Sequence, residues 1–216
     1  CGRSDYSIYL PLIKKLIKEQ NINLHIIAFG THAYRKYGYT VKFIQQSGFL
    51  PKYIIKSLQA GDDERAISKS MGVTTYKLAD ILAKEKYDML FALGDRYEMF
   101  AAVASSVPFN IPVSHIHGGE KTIGAIDEKY RHSISLMSTY HFVSTKNHLI
   151  KVKSLREDKS KIYNVGALAI DNIHDLKLKS PKDLFKAINV DFQIPTLLAT
   201  LHPETVNTNI NYKLTN

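Results

Sequence analysis

MLFALGDRYEMFAAVASSVPFNIPVSHI, residues 89–116, reads as a strand, a helix and a second strand. The apolar run Met89–Leu93 stops at Gly94-Asp95-Arg96, an amphipathic stretch Glu98–Ser106 follows, and Ile111–Ile116 is apolar again. Short apolar runs bounded by glycine and polar residues fit strands buried on both faces. A helical stretch between two of them joins parallel neighbours through a right-handed crossover. The pattern continues outward. Strands are expected at Leu24–Phe29, Tyr140–Ser144, Ile162–Val165 and Thr196–Leu201, with helices at Tyr9–Glu19, Glu64–Lys84, Ile126–Met137 and Asn147–Leu155. Within Glu64–Lys84, the residues Ile67, Met71, Leu78, Ile81 and Leu82 keep helical spacing. The fold class is α/β, with a doubly wound parallel sheet.

Domain organisation follows from the ends of this pattern. The first helix is expected almost at residue 1, with Ser4 or Asp5 as its N-cap, where this kind of fold calls for a preceding strand. TLLATL (Thr196–Leu201) is expected to be a buried strand of something larger, and KLKSPKD (Lys177–Asp183) a linker. The expected division is a nearly complete first domain over residues 1–176, then a linker and the first strand of a second domain over residues 177–216.

The 216 residues are 44% hydrophobic and 23% charged, an ordinary globular balance. No apolar run reaches the length of a membrane span, and the opening CGRSDYS has no secretory h-region. Cys1 is the lone cysteine, so no internal disulfide forms, and a reducing, cytoplasmic setting is expected. The net charge of +9 is spread over scattered lysines without interleaved aromatics. Nucleic acid is therefore not the expected partner, whereas a positive field suits an anionic small molecule.

In an open parallel sheet, ligands bind beyond the carboxyl ends of the strands. Those exits carry Gly30-Thr31-His32, Gly94-Asp95-Arg96, His117-Gly118-Gly119-Glu120 and His202-Pro203-Glu204. Alone, Asp95 reads as a helix cap and Glu120 as a solvated loop acid. On the following helix, Asp127 and Arg131 lie four apart, as do Glu128 and His132, the spacing of surface ion pairs. A sharper reading brings Asp127 towards Asp95 and Glu120, because converging acids push their pKa values apart and can divide acid and base roles. His115 and His117 at i, i+2 offer a weak zinc pattern, without HExxH or cysteine ligands, and a metal-dependent hydrolase is the alternative from outside this chemistry. There is no GxSxG, P-loop or GxGxxG, so nucleophilic-serine and nicotinamide chemistry have no support.

LGDRYEM (Leu93–Met99), NIPVSHIHGGEKT (Asn110–Thr122), DEKYRHSISLMS (Asp127–Ser138), HFVSTK (His141–Lys146) and NVGALAIDN (Asn164–Asn172) resemble, as a set, the hydrolysing UDP-N-acetylglucosamine 2-epimerases of bacterial sialic acid and capsule synthesis. GRSDYS near the start and LHPET (Leu201–Thr205) near the end extend the resemblance over essentially the whole chain. It implies the N-terminal half of a GT-B type fold, two Rossmann-like domains across a cleft. It implies anti-elimination of UDP to a 2-acetamidoglucal, then hydration to N-acetylmannosamine, with no metal or other cofactor. Asp95, Glu120 and Asp127 match the family's essential carboxylates, which of them is acid and which base being left open, and His202 matches a histidine near the leaving diphosphate. Arg3 matches the arginine facing the phosphates; His32, Arg96, His117, Gly118, Gly119, Arg131 and His132 match substrate-side positions. A non-hydrolysing epimerase and a UDP-N,N'-diacetylbacillosamine 2-epimerase are the alternatives within the family. The resemblance further implies a homodimer or tetramer for the full-length protein.

Overall fold

Every strand pairing among the described residues is parallel. The computed structural model describes residues 3–175, 178–190 and 195–200, without the side chains of Arg3, Ser4, His174 and Asp175. In chain order the elements are α1 (Arg3–Leu16), β1 (Ile27–Ala28), α2 (Val41–Gln46), β2 (Tyr53–Ile54), α3 (Glu64–Lys84), β3 (Leu90–Leu93), α4 (Tyr97–Ser106), β4 (Val113–Ile116), α5 (Asp127–Met137), β5 (Tyr140–Val143), α6 (Lys146–Leu155), β6 (Ile162–Asn164), α7 (Leu168–Asp175) and α8 (Pro181–Ile188). β1 pairs with β2, and β3-β4-β5-β6 form a separate sheet in sequence order.

Side-chain alternation along the strands builds two hydrophobic layers. Phe29, Ala92 and Val113 point to one face and pack with Ile55, Leu78 of α3, Val103 of α4 and Ile134 of α5. Ala28, Leu93 and Ile116 point to the other and pack with Tyr6, Tyr9 and Ile13 of α1 and Val41 and Ile44 of α2. Helices on both faces make the arrangement doubly wound, as expected. Both layers run across β1 and β3, although those strands share no ladder hydrogen bonds. On β3 the carbonyl of Phe91 instead accepts from the Tyr9 hydroxyl at 3.1 Å.

Local chemistry sets the helix ends. Asp63 caps α3 by accepting from the Ala66 amide at 2.7 Å, so the helix starts at Glu64 as its apolar spacing predicts. Pro11 lies inside α1 and cannot donate to the Ser7 carbonyl. The Asn172 side chain donates there instead at 2.5 Å, tying α7 to α1.

Several expectations need correction. Ser4 and Asp5 lie within α1 and do not precede it. Residues 196–200 of the expected strand TLLATL form no strand, and Leu197 and Leu198 are 98% and 95% exposed, since an apolar run without a neighbouring ladder cannot bury itself. The expected linker is only partly irregular: Ser180 caps a helix that Pro181 opens, at the position where a missing N–H costs nothing. α2, β2 and α7 had no expectation, being too short to show a period. No helix among the described residues is long and apolar enough to cross a membrane.

Candidate active site

The exits of β3, β4 and β5, and the first turns of α5 and α6, meet around one buried guanidinium. Arg131 is 6% exposed. Its Nη2 pairs with Asp95 Oδ2, while Nη1 donates to Glu120 Oε2 at 3.2 Å and to the His117 carbonyl at 2.9 Å. The expected Asp127–Arg131 helix pair therefore does not form: two carboxylates arriving from the sheet compete for the fork. Asp95 does not cap α4 either, because Arg96 occupies that position without a capping side-chain bond.

Glu120 takes two further donors. His117 Nδ1 lies 2.5 Å and Ser144 Oγ 2.7 Å from the same oxygen, Oε1. Burial would raise the pKa of Glu120, but hydrogen bonds from His117 and Ser144, with the charges of His117 and Arg131, outweigh it and bring the value down to about 2. Asp127, at the first position of α5, forms no salt bridge among the described residues. Burial first, and the Asp95 charge second, raise its pKa. The three acids thus differ sharply in environment: Asp95 and Glu120 are anchored on one guanidinium, and Asp127 stands outside the ion pairs with its pKa raised.

The turn carrying Glu120 needs unusual backbone. His117 has φ +64 and Gly119 φ +79, both left-handed. A Cβ on Gly119 would lie 2.6 Å from the His148 carbonyl oxygen and 2.9 Å from Val152 Cγ2, so only glycine lets this turn rest on α6. A Cβ on Gly118 would crowd His115 Nδ1 and Ser135 Oγ, each at 3.0 Å.

His115 is a structural residue. Its Nε2 meets the Gly94 carbonyl at 2.8 Å, so that nitrogen carries the proton, and Nδ1 accepts from Ser135 Oγ at 3.0 Å. Burial brings its pKa down to about 3, keeping the ring neutral. Both nitrogens are thus used, and one of them fixes the carbonyl just before Asp95. His117 lies beyond the strand end, so the i, i+2 pair does not present two ligands from one strand face. Among the described residues no group of three or more metal-ligating side chains is arranged to hold an ion.

Of the remaining expected residues, Arg96 lies close enough to Asp127 for its charge to act there. It is clamped by buried Glu98, Nε to Oε2 at 3.2 Å and Nη2 to Oε1 at 3.4 Å. His132 does not join Arg131: its Nε2 faces Glu128 at 3.5 Å. His32 is buried with Nδ1 2.8 Å from Thr40 Oγ1, lining a cavity of about 480 Å³ with Tyr6, Ser7, Leu10, Thr40 and Phe43. Arg3 opens α1, but its side chain is not described, and His202 lies outside the described residues. Ser144 and His148 had not been anticipated. Both follow the β5 run, so inspecting that strand exit like the others would have found them.

A doubly wound parallel sheet with an acid cluster at its carboxyl rim defines a Rossmann-like α/β protein. Solved structures share this fold. A UDP-GlcNAc 2-epimerase from Neisseria meningitidis superposes with a TM-score of 0.74 at 21% identity, over 87% of this chain and 52% of that one. One from Methanocaldococcus jannaschii gives 0.71 at 22%, over 88% and 52%. The family described as UDP-N-acetylglucosamine 2-epimerase matches residues 14–214, and the chain belongs to it. Among curated relatives, a GDP/UDP-N,N'-diacetylbacillosamine 2-epimerase (hydrolyzing) of Campylobacter jejuni is 35% identical over 205 residues, 95% of this chain and 53% of its own length. A polysialic acid biosynthesis protein of Escherichia coli is 33% identical over 215 residues, 96% and 53%. A UDP-N,N'-diacetylbacillosamine 2-epimerase (hydrolyzing) of Legionella pneumophila is 35% identical over 183 residues, 85% and 48%. The chain spans about half the length of the curated relatives it matches.

Proposed function

We propose that this chain carries the acid/base half of a hydrolysing nucleotide-sugar 2-epimerase, converting UDP-GlcNAc to N-acetylmannosamine and UDP for sialic acid synthesis. The observation supporting it is the Arg131 bridge between Asp95 and Glu120, with Asp127 left outside the ion pairs. Elimination needs a group that accepts the C2 proton, and a carboxyl with a raised pKa is the better proton carrier near neutrality. We assign that part to Asp127. As the C2–H electrons form the C1=C2 bond and the C1–O bond to UDP breaks, positive charge builds at C1. Asp95 and Glu120 stabilise it electrostatically. In the second stage a proton from solvent adds to C2 on the opposite face and the hydroxyl of a water oriented by Glu120 joins C1, and the proton that this water loses returns to solvent. The proton held by Asp127 is released with the departing diphosphate.

A second reading keeps this chemistry and changes the sugar to UDP-N,N'-diacetylbacillosamine. The names of the Campylobacter and Legionella relatives favour it. The test is to incubate the protein as encoded with each nucleotide sugar in D2O, with EDTA present, and follow the sugars by proton NMR. Free N-acetylmannosamine deuterated at C2 supports the first reading. A product only from the diacetylated substrate supports the second. Turnover of neither, or activity abolished by EDTA, rejects both.

A further inference from the structure

Glu120 is the end of a hydrogen-bond chain that starts on α6. His148 Nδ1 lies 2.8 Å from Ser144 Oγ, and Ser144 Oγ lies 2.7 Å from Glu120 Oε1. The direction of this chain follows from donor chemistry. An ionised carboxylate only accepts, so Ser144 must give its one proton to Glu120. The serine oxygen then has only lone pairs left for His148, which must carry its proton on Nδ1. Two features hold the chain in place. The Thr145 side chain accepts from the His148 amide at 3.2 Å and fixes the first turn of α6. Gly119 lies against the His148 carbonyl, where a Cβ would come within 2.6 Å. His148 itself is only partly buried and opens this network towards solvent.

The consequence lies in which oxygen of Glu120 remains available. A carboxylate offers about four acceptor positions, two on each oxygen. On Oε1 both are taken, by His117 and Ser144; on Oε2 one is taken, by Arg131. One position is left, on Oε2. We propose that Ser144 and His148 are positioning residues that saturate Glu120 Oε1 and so direct Oε2 at the water that adds to C1. This rests on the epimerase reading and goes further, because it assigns the two residues to the hydration stage and not to elimination.

The experiment compares Ser144→Ala, Ser144→Thr, His148→Ala and His148→Asn in the protein as encoded, with the nucleotide sugar that the parental protein turns over. Products are separated into free sugar and glycal by proton NMR. Threonine keeps the hydroxyl, and asparagine places an N–H where histidine has Nδ1. Ser144→Ala and His148→Ala are expected to lower kcat about 10-fold with KM nearly unchanged, the scale of one lost hydrogen bond to a charged group. They should also release glycal that the parental protein retains, while threonine and asparagine restore the parental product. Equal kcat and no glycal in both alanine variants would overturn the proposal. So would a loss of elimination and hydration in equal proportion, unrescued by threonine or asparagine and accompanied by a lower thermal midpoint, which marks a purely structural contact. A parental protein that turns over no nucleotide sugar rejects the epimerase reading itself, a result distinct from either.

Discussion

Arg131 and Asp95, 36 positions apart, form the ion pair that joins α5 to the β3 exit, and both side chains are largely buried. The same guanidinium reaches Glu120, so Arg131→Ala leaves two half-buried carboxylates without their shared counter-charge, Glu120 keeping only its His117 contact. Breaking such a pair is expected to cost about 3 kcal/mol. Arg131→Lys keeps a charge but loses the planar fork, and should recover only part of that. Urea unfolding of both variants checks the order. Equal stability of arginine, lysine and alanine at this position would contradict the bridge.

Glu120 makes stability depend on pH in acid. Its folded pKa of about 2 lies below the unfolded value of about 4.3. The unfolded state therefore binds the proton more readily, and the contribution is fully present above the unfolded value. It is lost as pH falls from about 4 towards 2. Glu120→Gln should flatten the stability curve over that interval while leaving its slope at neutral pH unchanged. Thermal midpoints across the acid range measure it.

Asp127 has the opposite sign. Its folded pKa is raised, so its ionised form opposes folding, and the stability it offers when protonated is lost as pH rises through the folded value. Asp127→Asn should abolish turnover yet stabilise the fold at neutral pH. With partial exposure screening the charges, the gain is on the order of half a kcal/mol. A destabilised, inactive variant would instead make Asp127 a structural residue.

Gly119→Ala combines a left-handed backbone angle with a contact no side chain can share. The Cβ meets a backbone carbonyl, which cannot rotate away. A loss of about 2 kcal/mol is expected, from strain together with overpacking. Gly48→Ala, also at positive φ but with nothing within 4 Å, serves as the control and should lose less. The two thermal midpoints separate steric contact from backbone conformation.

Much of the architecture was readable because its causes are local. α3 has its expected limits since an aspartate cap and a run of apolar positions mark it within one segment. The strands β3, β4 and β5 fall inside their apolar runs. Glycine-flanked polar residues after those runs pointed to the rim where Asp95 and Glu120 stand. What the sequence could not display is competition across space. Asp127 and Arg131 satisfy helix-pair spacing, and nothing in α5 reveals that Asp95 and Glu120 claim the arginine first. His115 and His117 look alike in the chain, yet one is locked to the Gly94 carbonyl and the other turns out of the strand at φ +64. Thr196–Leu201 has the composition of a strand, but a ladder partner decides whether an apolar run becomes one.

The bridge of two acids on one guanidinium also acts as an orienting field. Asp95 and Glu120 share Arg131, Glu120 also meets His117, and the Asp127 carboxyl stands outside the ion pairs, so the centre is lined with carboxyl oxygens. A molecule with a neutral ring at one end and a diphosphate at the other meets attraction from a chain of net charge +9 at long range and repulsion of its phosphates at the acid centre. Only one orientation escapes that repulsion, with the ring inward and the phosphates outward. In the proposed elimination, the same field would give the diphosphate a direction in which to leave.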